Sequence, residues 1–271
     1  MSWKLSLPLV AALLAGAPAL AGEIAPPGPP APAAEGLFVE VETGLDLGST
    51  GASLAGTEWS GSSVGLRLGV GRRGPGANCG VRFKGFASGE KEFTQEDLNI
   101  DAKGRSSGIA LDGYAGWGWA LGRSWLLSAS GGLGFRAYQA GFTTEEVLGQ
   151  KVDVEVSARA LTLDLGLRLD AALNERLKWN FSLLGGPVIA GEVTADAQWF
   201  LLSYKHTENI EAGVFFELRT GLDVKVGRNA YLELGLALEA FAVDANLDND
   251  DDLDGLAISQ AAFTVGLNWK F

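Results

Sequence analysis

The sequence predicts an all-β fold: a closed, antiparallel, up-and-down transmembrane barrel of about ten strands, with eight or twelve strands as the neighbouring alternatives. Three observations lead there. From Leu37 to Phe271 apolar residues recur at every second position, so each extended segment has one apolar and one polar face. Glycine makes up 38 of 271 residues, whereas five of the nine prolines crowd into Pro26 to Pro32, leaving the remainder free for continuous ladder hydrogen bonding. The connections alternate between short and long, as when tight turns lie on one side of a bilayer and longer excursions on the other.

The elements follow in order. Residues 1–21 read as a cleaved export signal, with Lys4 before an interrupted apolar stretch and Ala19-Leu20-Ala21 as a small-x-small end. Residues 22–35, rich in proline and alanine, read as an extended spacer, and 36–271 as the barrel. The first segment sets Leu37, Val39, Val41, Leu45 and Leu47 against Glu40, Glu42 and Asp46. The second sets Val64, Leu66, Leu68 and Val70 against Arg67 and glycines, and the third Val81 and Phe83 against Arg82 and Lys84. The fourth and fifth, parted by Gly-Arg-Ser, carry Ile109 to Leu121 and Trp125 to Phe135 outward, with Asp112 inward. The sixth alternates Leu161 to Leu169 with Asp164 and Arg168, but its start at Val152 to Val156 has the opposite phase, which predicts a bulge near Ser157 to Ala160. The last four segments run Leu177 to Ile189, Ile210 to Val226, Leu232 to Leu238 and Phe263 to Phe271. Residues 197–204 are read as extending the seventh of these segments or forming a hairpin arm.

Short connections are expected near Gly74–Asn78, Gly122–Ser124, Ala172–Glu175 and Gly227–Asn229, and long ones near Ser49–Ser62, Ser88–Arg105, Gly141–Lys151, Asp196–Asn209 and Ala245–Gly255. A ten-stranded barrel is too narrow to hold all the apolar side chains inside, so the apolar face is assigned to lipid and the charged face to the lumen. The expected lumen lining includes Arg67, Arg82, Lys84, Asp112, Arg136, Asp164, Arg168, Glu217, Arg219, Asp223 and Lys225. Trp117, Trp119, Trp125, Trp179, Trp269 and Phe271 fall near short turns or the C-terminus, as an interfacial aromatic girdle would. A formal charge of −12 disfavours nucleic acid as a partner, and the single Cys79 offers no disulfide framework.

The closing octet, with Thr264, Gly266, Trp269 and terminal Phe271, resembles the C-terminal assembly signal of bacterial outer-membrane β-barrels (the porin-like superfamily). That resemblance implies export to a Gram-negative cell envelope, recognition by the barrel-assembly machinery, and lipid and lipopolysaccharide as surroundings. The spacer would then be periplasmic. The functional expectation is a non-enzymatic protein, either a structural or surface-interaction barrel or a narrow porin-like channel. Ten-stranded barrels also include omptin-like proteases, whose site pairs Asp with His in the outer loops. Here His206 falls in the fourth long connection, but Tyr204 stands where that pattern wants Asp, so no catalytic residue is assigned. Asp250, Asp252 and Asp254 have the alternate spacing of a Ca²⁺ loop, the single cofactor considered, although Ala261 replaces the terminal glutamate.

Overall fold

The computed structural model describes residues 38–54, 57–95, 100–144, 151–199, 202–245 and 255–271. They form twelve strands: β1 (Phe38–Leu54), β2 (Thr57–Arg73), β3 (Gly76–Ser88), β4 (Lys91–Gln95), β5 (Ile100–Leu121), β6 (Trp125–Thr144), β7 (Val152–Ala172), β8 (Leu177–Trp199), β9 (Leu202–Asn209), β10 (Ala212–Lys225), β11 (Ala230–Asp244) and β12 (Leu256–Lys270). Ten of them make a ring in the order β1-β2-β3-β5-β6-β7-β8-β10-β11-β12, closed by antiparallel pairing of β12 with β1. The two others stand off it: β4 pairs with β5, and β9 with the distal half of β8. The ten strands of the ring coincide with the ten alternating segments of the sequence.

At one end the strands are joined by tight turns, one of which uses Gly122 at φ +73°, a left-handed conformation that glycine adopts without steric cost. At the other end the structure departs from expectation. Residues 49–54 and 57–62, expected within a loop, are strand, with β1 and β2 pairing until Leu54 meets Thr57; β6 runs on to Thr144, and β8 and β9 form the hairpin arm that is one of the two readings of 197–204. Residues 88–105 likewise contain β4 and the beginning of β5. The connection at 246–254 lies outside the described residues. The ladder therefore continues well past the part that carries the leucines.

What changes along a strand is the environment, not the facing. On β7 the outward side chains Leu161, Leu163, Leu165 and Leu167 are exposed, while Thr162 and Asp164 are buried inside. Further along, the inward positions become Ala160, Ala158 and Val156, all buried, and the outward ones become Arg159, Ser157 and Glu155. Arg159 Nη1 lies 3.6 Å from Glu192 Oε1 on β8, and Arg105 Nη2 lies 3.6 Å from Glu155 Oε2, both on the outer surface. β1 behaves the same way, with outward Val39, Leu45 and Leu47 giving way to Ser49 and Ser53. The leucine band meets hydrocarbon, and the strand extensions stand in water with an ordinary apolar inside.

This inversion corrects one expectation. Val152 to Val156 look out of phase with Leu161 to Leu169 because they are inward residues of the wet extension, so β7 needs no bulge at Ser157 to Ala160. The register does shift nearby, but on the partner strand: Leu161 pairs with Ala190 and Thr162 with Val188, leaving Ile189 as the extra residue of β8.

Two inward glycines make room for the aromatic part of the inside. A Cβ at Gly104 would overlap the Trp59 ring, and one at Gly108 the Tyr138 ring. Replacing Gly108 by valine is therefore expected to cost about 1–3 kcal/mol through overpacking, read as a lower midpoint for urea unfolding of the refolded protein. Two outward changes locate the membrane edge. Leu165→Arg should destabilise by about 2–4 kcal/mol in lipid, whereas Arg159→Leu, further along the same strand on the wet extension, should change stability by less than about 0.5 kcal/mol.

Candidate functional site in the barrel interior

Inward residues of the membrane-level ladder are mostly Gly, Ser, Thr, Asn and charged side chains, because alternation gives the other face to lipid. Toward the short-turn end, Glu40 Oε2 lies 3.0 Å from Arg73 Nη1, and its other oxygen 3.5 Å from Lys270 Nζ. Lys270 Nζ is also 3.6 Å from Asp223 Oδ2, and Asn180 and Asn268 each donate an amide N–H to Asp223 Oδ1 at 3.2 and 3.4 Å. Arg168 binds Asp170 of its own strand at 2.9 Å through Nε and Nη2. In the middle, Arg67 sits between Glu42 (2.8 Å) and Glu233 (3.3 Å), and Arg219 lies 2.6 Å from Glu217. Arg136 reaches Asp112 at 3.0 Å and Asp164 at 3.4 Å and donates to the Thr162 hydroxyl.

Above these, Lys84 is paired with Glu239, whose other oxygen accepts a 2.5 Å hydrogen bond from the Tyr138 hydroxyl. From that level outward the larger inward side chains are apolar, with Thr50, Ser63, Ser106 and Gln260 buried among them. Trp59, Phe86, Tyr138, Val156, Leu184, Val193, Phe215, Phe241 and Ile258 form one buried cluster, with Tyr138 and Phe241 ring centroids 4.5 Å apart. The Arg136 guanidinium lies 3.4 Å over the Phe215 ring and joins the ionic and apolar halves.

Of the expected lumen residues, Arg67, Lys84, Asp112, Arg136, Asp164, Glu217, Arg219 and Asp223 are buried inside, and Arg82 and Arg168 are partly buried there. Lys225 is the departure: it is exposed at the short-turn rim, where β10 ends. Thr264 and Gly266 face inward and are buried, whereas Phe271 is exposed at the rim and ties its N–H and C=O to Val39 at 2.9 and 3.0 Å. Trp117, Trp119 and Trp125 are exposed near the short turns, with Trp125 and Trp179 edge to face at 6.3 Å.

His206 lies on β9, 2.9 Å from Glu208 Oε1 and stacked on Tyr204, and its register partner is Ala195. Asp250, Asp252 and Asp254 lie outside the described residues, among which no cluster of three metal-ligating side chains occurs. Sequence reasoning missed the apolar inner set and Arg73. The signal for both was there: Trp59 and Arg73 share the odd-numbered inward phase of Arg67 on β2.

Lys84 and Glu239 provide a test of how the interior is held. Lys84→Met leaves Glu239 buried beside Tyr138 without its cation and should cost about 3–5 kcal/mol, while the double change with Glu239→Leu should recover most of that. Denaturant unfolding in lipid checks both.

No family model and no curated protein matches the chain. Among solved structures, the chain is similar to the outer membrane protease OmpT from Escherichia coli, with 10% identity, 86% of this chain and 97% of that one covered, and a TM-score of 0.59. A major outer membrane protein from Thermus thermophilus aligns at 12% identity over 88% of this chain and 100% of that one, with a TM-score of 0.45. The translocator domain of the autotransporter NalP from Neisseria meningitidis aligns at 13% identity over 96% of each chain, with a TM-score of 0.46. At such identities the likeness to OmpT bears on fold alone. Together with the closed ring and its belt of exposed leucines, it gives this chain the fold of a ten-stranded transmembrane-type β-barrel.

Proposed function

We propose that the protein is a non-enzymatic, non-conducting barrel of the bacterial outer membrane, serving as a structural or surface-interaction element through its outer strand extensions. The observation that carries this reading is the apolar cluster across the outer half of the lumen. Phe86, Tyr138, Phe215 and Phe241 meet there from β3, β6, β10 and β11, that is, from around the ring. Water and ions crossing the barrel would have to pass between them, and a hydrophobic constriction of this kind dewets. Ten strands enclose only slightly more than the eight-stranded barrels that side chains fill.

The surroundings of His206 support the non-enzymatic part. Its partner is a glutamate two residues away on the same strand, and the described residues place no aspartate against it to orient the imidazole as a base.

The channel reading is tested by conductance. Protein whose heat-modifiable migration shows it folded is expected to give no discrete steps in planar bilayers, and unitary currents from such material would overturn the proposal. On the enzymatic side, no His206-dependent peptide hydrolysis is expected. Cleavage that His206→Ala abolishes would remove the reading.

A further inference from the structure

Below the apolar cluster, in the short-turn half of the lumen, lies a partly open cavity of about 60 Å³. Its cationic lining comes from three strands, Arg73 on β2, Arg82 on β3 and Arg168 on β7, and no acidic side chain lines it. Hydroxyls of Ser128 and Ser182 complete the wall on the β6 and β8 side. Each arginine has a carboxylate partner outside the lining, but they are unequally served. Arg73 is 3.0 Å from Glu40 and Arg168 is 2.9 Å from Asp170, whereas Arg82 is 3.7 Å from Asp112, which binds Arg136 more closely at 3.0 Å. The Arg82 Nε–H is buried and has no hydrogen-bond acceptor, a state that costs free energy unless something fills the cavity.

We infer that this cavity is a binding site for a small tetrahedral oxyanion, represented by inorganic phosphate or sulfate, entering from the periplasmic side. The space is large enough for several waters, and so for one ion of this size. Guanidinium groups present forked donors that match oxyanion geometry, and serine hydroxyls donate to the remaining oxygens. The arginines and serines of the lining face the inside of the ring, whereas lipid headgroups lie outside it, so the ion is taken as a free one rather than a headgroup phosphate. The inference stands on this cavity and goes beyond the closed-barrel reading, since it holds whether or not the lumen conducts.

Calorimetric titration of the folded full-length protein in detergent at low ionic strength, with sodium phosphate and separately with sodium sulfate, tests it. Saturable binding of one ion is expected, weakened roughly tenfold or more by Arg82→Gln. Ser182→Leu, which fills the cavity while keeping every charge, should abolish it and serves if Arg82→Gln does not fold. Arg105→Gln, on the outer surface of the extension, should leave the affinity as it is. Absence of saturable heat up to tens of millimolar of either ion, or binding that Ser182→Leu leaves intact, would overturn the assignment.

Discussion

Hydrocarbon offers no partner to a backbone N–H or C=O, and that constraint organises the molecule. Each membrane-level strand must find two neighbours, so the sheet has to close, and it does so through β12 with β1 and through β8 with β10. The β8–β10 contact shows where the constraint ends. β10 pairs with β8 up to Pro187, and from Glu192 outward the edge of β8 is taken by β9 instead. β4 and β9, which among the described residues pair on one side only, belong to the extensions, where water can satisfy the open edge. Closure also fixes the interior: at membrane level the polar face of each strand of the ring is turned inward, and buried charges must then be paired among themselves. The contacts of Arg67, Arg136, Lys84 and Lys270 follow from that requirement.

The ring of ten was readable because alternation has one meaning at membrane level. Leu66 and Arg67, or Leu163 and Asp164, differ so much in polarity that their opposite faces are plain. Beyond the membrane the same alternation changes sign, and a reading that assigns one environment to a whole strand turns Val154 and Val156 into a phase slip. The real register shift, at Ile189, is hidden in the run Pro187-Val-Ile-Ala190, where no polar residue marks the inward side. Loops were expected where serine, glycine and charges are dense, as in 49–62. Those residues suit a wet outward face as well as a turn.

The interior was partly readable for the same reason. A charge at an inward position of a leucine strand has one plausible place, which is how Arg82 and Arg168 could be assigned to the lumen. Their convergence could not be read, since β3 and β7 are three ladder steps apart and come together only because the sheet curls. Nor does the sequence announce that Phe86, Tyr138 and Phe241 meet across the lumen, since each looks like one more apolar residue on its own strand.

The pairing of Val39 with Phe271 has a consequence for how the molecule is made. These residues are separated by nearly the whole described chain, and the hydrogen bonds between them seal the seam. Contacts of such sequence separation carry a large loop-closure entropy and form late. Until they form, β1 and β12 each present an unpaired edge that lipid cannot satisfy, so a half-built sheet has no stable resting place in the bilayer. Biogenesis must therefore either shelter both edges on another protein or complete the circle in a single cooperative event.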